Sequence, residues 1–247
     1  MRPSLPLLAL LALAACDRPA APDLPAAEAA PADPSVVADS IVIADSTLLF
    51  FVRYTYPQLR DAGPHTDAIN QALADSARAL IEVFRPEGPP DPSYVYETTV
   101  EGGFDVARLD DRLFSAVASY YFYTGGAHGN TDFEPLNYDL TTGRPFALAD
   151  LFRPDAAYLD TLSAHAGRWV VDEAARLGAT RDDFREEGWA PETANFARFT
   201  VGADSLRFYF PPYQIAPYVF GPAEFGVPLD ALRPLLATEG PAAALRR

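Results

Sequence analysis

Hydrophobic and polar positions alternate from Ser46 to Tyr56. Leu48, Phe50, Val52, Tyr54 and Tyr56 fall on one face, and Leu49, Phe51, Arg53 and Thr55 on the other, which is the period of a strand. The period then changes. After Pro64, Ile69, Leu73, Ala77, Leu80 and Phe84 recur three or four apart with Asp67 in the first turn, predicting a helix that four prolines and Gly88 end between Arg85 and Pro92. Alternation returns over Tyr94 to Glu101 and Phe104 to Leu109, with Asp110-Asp111 as the turn into a long strand, Leu113 to Tyr123. Phe114, Ala116, Ala118, Tyr120 and Phe122 take one face of it, and Leu113, Ser115, Val117, Ser119, Tyr121 and Tyr123 the other, as in a half-buried antiparallel sheet.

A return strand is expected from Phe133 to Leu140, with a turn at Thr141 to Arg144 and a helical piece at Leu148 to Phe152. Pro154 to Leu177 reads as a second helix, striped by Leu159, Leu162, Ala166, Trp169 or Val170, Ala174 and Leu177 and stopped at Gly178. Asn195 to Val201 and Leu206 to Phe210 form a hairpin. Prolines at 211, 212, 217, 222 and 228 confine the following tail to edges, bulges and turns, before a short final helix near Leu229. The fold class expected is α+β, an antiparallel sheet with two main flanking helices and a proline-rich C-terminal strand region.

Between the two central strands lies YTGGAHGN, where Gly125, Gly126 and Gly129 surround His128. Three glycines in five residues permit backbone angles closed to other residues, or very close approach by another group. A constrained loop on a β scaffold is the candidate site, with Tyr121, Tyr123, Thr124, Gly125, Gly126, His128, Gly129 and Asn130 as its binding residues.

The N-terminus speaks to location. Arg2, the apolar run Leu5 to Leu13 and the closing Leu13-Ala14-Ala15-Cys16 read as a secretory signal too short to span a bilayer, and its last four residues resemble a bacterial lipobox. That resemblance implies lipidation of Cys16, the chain's single cysteine, and hence a lipoprotein facing the periplasm or exterior. Residues 1–15 are then the signal and 16–39 an Ala/Pro linker; 40–239 fold, with halves at about 40–125 and 126–239, and 240–247 form a tail. The Asp17 position does not decide between inner and outer membrane.

Charge narrows the partners. Of 19 basic residues, all arginine, Arg2 leaves with the signal, so 18 face 34 acidic residues in the remainder. Nucleic acid and anionic headgroups are poor partners for such a surface, whereas a cationic protein would be steered toward it.

The glycine-histidine stretch, then Asn137-Tyr138-Asp139-Leu140 with Thr142-Gly143 and Leu148 to Phe152, and finally Phe208 to Leu232, resemble the RsiV-like family of lysozyme-binding ectodomains. The N-terminal half is similar to the accessory module of PdaC-type peptidoglycan deacetylases. The resemblance implies an envelope α+β module whose partner is a lysozyme-like protein or peptidoglycan. With no transmembrane or sigma-binding segment and no deacetylase domain in the sequence, anti-sigma and deacetylase activities are not carried over.

For catalysis, Ser119, His128 and Asp132 are close in sequence, but no Gly-x-Ser-x-Gly elbow accompanies them. Histidines 65, 128 and 165 are scattered, and Asp132 and Glu134 are the acids near one of them, so neither a metal nor a cofactor is expected. His65 and His165 read as solvated or boundary residues, and His128 equally as a loop brace or a ligand group. The sequence therefore favours a non-catalytic binding surface on a lipid anchor. A cell-wall hydrolase or deacylase is the alternative, and a structural envelope lipoprotein the third reading. Nothing in the sequence speaks to oligomeric state.

Overall fold

The computed structural model describes residues 33–246; the signal, Cys16 and most of the linker lie outside them. Six strands form one sheet in the order β1-β2-β3-β4-β5-β6: Ser35–Asp45, Phe50–Arg60, Thr98–Leu109, Leu113–Tyr123, Asn130–Asp139 and Arg144–Pro145. Every pairing is antiparallel except β2 with β3, which run parallel because helix α1, Thr66–Val83, carries the chain back between them. Three further strands, β7 (Phe199–Val201), β8 (Ser205–Phe210) and β9 (Ala223–Pro228), make a second antiparallel sheet.

Each sheet has its own helix. Ile69, Leu73 and Ala77 of α1 pack on Phe50, Val52 and Tyr54 of β2 and on Phe114, Ala116 and Ala118 of β4, all buried. Helix α2, Tyr158–Leu177, buries Leu162, Ala166, Val170 and Ala174 against Phe208, Phe225 and Trp189, and ends where Gly178 takes the left-handed conformation at φ 69°. A four-residue helix α3, Leu229–Leu232, follows β9. Among the described residues no helix is long and apolar enough to cross a membrane.

Four expectations change. β1 starts at Ser35, inside the stretch read as linker, because Val36 and Val37 supply β-branched positions and the Tyr56 hydroxyl donates to Asp39 at 2.8 Å. β3 runs unbroken through Gly102 and Gly103. At Gly102 a Cβ would lie 2.6 Å from the Ser119 carbonyl, so the glycine serves close strand approach and marks no break. Tyr94 to Glu97 stay outside β3. The second face of β4 is covered over its first half, since the β7–β9 sheet packs there and leaves Ser115 and Val117 buried, while Tyr121 remains 42% exposed.

The joint between the sheets is polar. The Ser115 hydroxyl donates to Asn137 Oδ1 at 2.6 Å and accepts the Val201 N–H at 2.7 Å, and Asn137 Nδ2 donates to the Phe199 carbonyl at 3.0 Å. Each buried polar atom is satisfied, so the joint fixes the register of β7 on β4 and β5. Arg108, just past the bulge at Ala107, donates to Asp110 and reaches the Gly202 and Ala244 carbonyls, tying the C-terminal turn to β3.

Candidate functional site

The loop Thr124–Gly129 joins the outer end of β4 to β5. Alternation along β4 sends Tyr120 and Phe122 toward α1, where both rings meet Phe84, and sends Tyr121 and Tyr123 to the opposite face. Gly125 and Gly126 take φ of 94° and 98°, a region open to glycine. The Gly126 N–H donates to the Tyr94 hydroxyl at 3.0 Å, and the Tyr123 hydroxyl donates to the Gly126 carbonyl at 2.9 Å. Tyr96 packs edge-on to Tyr123 beneath Gly125, where a Cβ would come within 3.0 Å of its ring. Tyr94 and Tyr96 also line a cavity of about 400 Å³ with Leu48 and Pro86.

On the other side of the loop is His128. Its Nδ1 lies 2.8 Å from the Gly129 carbonyl, which can only accept, so Nδ1 carries the proton of the neutral ring and Nε2 holds the lone pair. The Tyr213 hydroxyl is 3.2 Å from Nε2 and donates to it. Tyr218 stacks on the imidazole with centroids 3.9 Å apart and planes at 21°. Tyr121 completes the wall, and its ring lies against Gly129 where a side chain would otherwise be. His128 itself is exposed, so this wall is an open surface.

Tyr213 sits at φ 71°, an uncommon conformation for a bulky residue. The turn holds it there: its N–H donates to the Ala216 carbonyl, and the next side chain, Gln214, donates to the Gly188 and Asn195 carbonyls. Backbone strain at a residue that touches an oriented imidazole is where function commonly stores it.

Two of the residues singled out in the loop contribute less. Thr124 is exposed, and Asn130 uses its Oδ1 on the Thr131 N–H. The grouping of Ser119, His128 and Asp132 is not assembled. Asp132 pairs with Tyr120 across the ladder and shares its face, opposite to Ser119, and its carboxylate takes two bonds from Arg198, at 2.7 and 3.1 Å. Among the described residues no three His, Cys, Asp or Glu side chains stand together in a way that could hold a metal ion. His165 lies partly buried on α2, where burial first and Arg168 second push its pKa down. Tyr94, Tyr96, Tyr213 and Tyr218 were missed. The one sequence signal for the last two is a repeated Pro-Tyr, at 212–213 and 217–218, which presents a ring after each backbone constraint.

The two halves have different relatives. Residues 43–131 match the family described as deacetylase PdaC, and residues 149–230 match a family described as a protein of unknown function, DUF3298. Against the esterase Rv3036c of Mycobacterium tuberculosis the chain is 31% identical over 172 residues, which cover 70% of this chain and 73% of the esterase. The chain belongs to the family of that esterase. Another curated relative is the peptidoglycan-N-acetylmuramic acid deacetylase PdaC of Bacillus subtilis, 33% identical over 133 residues, which are 54% of this chain and 28% of that enzyme. The match thus spans most of the esterase but just over a quarter of the deacetylase. Two crystal structures of DUF3298 members share the fold. One, from Bacteroides fragilis, has a TM-score of 0.60 at 21% identity, covering 86% of this chain and 98% of its own; the other, from Pseudomonas aeruginosa, has 0.55 at 16%, covering 83% and 94%. The mixed α+β architecture with a mainly antiparallel sheet is thus shared with both. These relatives favour the hydrolase or deacylase alternative over the leading expectation from sequence, a binding protein for a lysozyme-like protein or peptidoglycan.

Proposed function

We propose that the chain is a cell-envelope acyl hydrolase that removes an ester- or amide-linked acyl group from a cell-wall glycan at the His128 surface. Membership in an esterase family and the PdaC-type half support the reaction class. The observation that carries the site is the imidazole with its tautomer set by the Gly129 carbonyl and its lone pair turned to Tyr213. A water at Nε2 loses a proton to it as its oxygen adds to the acyl carbon. The Tyr213 hydroxyl, released from Nε2, donates to the oxyanion that forms, and collapse of the adduct breaks the bond to the leaving oxygen or nitrogen, which takes the proton back from Nε2. The rings of Tyr121, Tyr213 and Tyr218 offer faces on which sugar rings can lie. Attachment through a lipid on Cys16 would keep this surface at the wall; Cys16→Ala would then move the protein from the membrane fraction to the soluble one.

Hydrolysis of p-nitrophenyl acetate and butyrate by the full-length protein tests the reading. His128→Ala and His128→Gln should each lower kcat/KM by about a hundredfold or more, and Tyr213→Phe by about tenfold or more, with folding unchanged. Equal rates in all four proteins would refute it.

A second reading is docking without turnover, on peptidoglycan or on a lysozyme-like cationic protein. The openness of the His128 wall favours it, together with the excess of 34 acidic over 19 basic residues. Retention on immobilised lysozyme or peptidoglycan, lost in Tyr218→Ala, by a protein that turns over neither ester would select this reading.

A further inference from the structure

Four residues beyond the loop, the outer side of β5 borders a different feature. Pro135 has no N–H, so its pairing with Val117 is one of the ladder's non-hydrogen-bonded positions, and the N–H groups of Thr131 and Phe133 therefore point away from β4. Both are already taken, by the side chains of Asn130 and Asp132 at 2.9 and 2.7 Å. This edge is closed to an added peptide strand. It nevertheless flanks a cavity of about 540 Å³, a size that holds small molecules.

The lining is partly apolar, from Leu136, Tyr138, Phe146 and Phe199, and it carries two carboxylates, Glu134 and Asp150, with no arginine or histidine. Glu134 reaches across from β5 to α1, where the Ser76 hydroxyl donates to its Oε1 at 2.5 Å, leaving Oε2 without a bond in that pair. One oxygen of Asp150 accepts the Ala147 N–H at 2.8 Å. The Glu134 carboxylate also acts on hydroxyls around it. Burial first and Glu134 next push the Tyr54 and Tyr138 hydroxyls up, and burial, Asp132 and then Glu134 push Tyr120 up to about 12 against the opposing charge of Arg198.

We propose that this cavity binds a small ring-bearing ligand through a protonated primary amine, an amino sugar with a free 2-amino group being the representative class. The ammonium would donate to Glu134, with Asp150 adding attraction and the Tyr138 and Phe146 rings accepting the cation over their faces. The acetylated form of the same sugar has no charge to offer and would leave the Glu134 carboxylate with no counter-charge, its Oε1 bonded to Ser76 alone. This assignment is independent of the acyl-hydrolase reading, because it concerns other residues and is read by binding.

Isothermal titration of the full-length protein with glucosamine and with N-acetylglucosamine tests it. Glucosamine should bind at least roughly tenfold more tightly than N-acetylglucosamine, and Glu134→Gln, which keeps an acceptor for Ser76, should remove that preference without changing the melting curve. If Glu134→Gln does not fold, Asp150→Asn, which retains the acceptor for Ala147, serves in its place and should weaken glucosamine binding. Equal affinity for the two sugars, no detectable heat with glucosamine, or an unchanged preference in the folded variant would overturn the proposal.

Discussion

Ser115→Ala removes a single oxygen from the joint where the two sheets meet, and the structure allows its cost to be worked out. Ser115 is 0% exposed and Asn137 4%, so water cannot reach the groups left behind. Two of them lose a partner: the Val201 N–H, now without an acceptor, and Asn137 Oδ1, now without a donor. A buried polar group left unpaired costs about 1–3 kcal/mol, which for two gives roughly 2–6 kcal/mol. The void is one atom and adds little. Ser119→Ala is the control, four residues along the same face of β4 where the strand is half-buried, and it should cost less than about 0.5 kcal/mol. Urea titration followed by tryptophan fluorescence suits the measurement, because Trp189 is buried in the core that the second sheet and α2 share. A loss for Ser115→Ala below about 1 kcal/mol, or one matched by Ser119→Ala, would refute the claim that this hydrogen-bonded chain holds the sheets together.

Other changes test other parts. Burial raises the Asp110 pKa, but the Leu113 and Arg112 N–H groups and Arg108 more than offset this and hold it below the usual aspartate value; its contribution is therefore present above about pH 4 and lost as pH falls through its native pKa, so the melting-temperature gap to Asp110→Asn should narrow on acidification. Gly129→Ala would put a methyl group into the Tyr121 ring and 2.5 Å from the Phe122 carbonyl, and should destabilise by about 1–3 kcal/mol in a urea titration. Tyr213→Gly relieves a strained φ worth about 1–2 kcal/mol while adding chain entropy, so stability should stay within about 1 kcal/mol although ester hydrolysis falls.

Local periodicity carried much of the fold into view. α1 lies where the three-to-four spacing puts it because one face is pressed on a core, and β4 lies where the alternation puts it although its first half is buried on both faces. β1 was hidden because the Ala, Pro and Asp of the stretch before it mask its Val and Ile positions until the pairing with β2 is known. The burial of Ser115 was hidden for a related reason: the cover comes from β7, more than 80 residues later, and a serine on the second face of a strand looks solvated until that partner is known. The same distance obscured half of the site. His128 and its glycines stand out in a window of five residues, whereas Tyr213 reaches the imidazole across 85 positions. Proximity in sequence also misled, since Ser119 and Asp132 fall on opposite faces of one sheet.

Acyl transfer to water by the oriented imidazole, as proposed, is read most directly as acetate release from acetylated peptidoglycan by the wild-type protein and by His128→Gln, at matched concentration and with matched circular dichroism. Steady release by the wild type and a rate at least about a hundredfold lower in the variant are expected. Release at equal rates, or none from the wild type under any condition in which it binds the polymer, would contradict it.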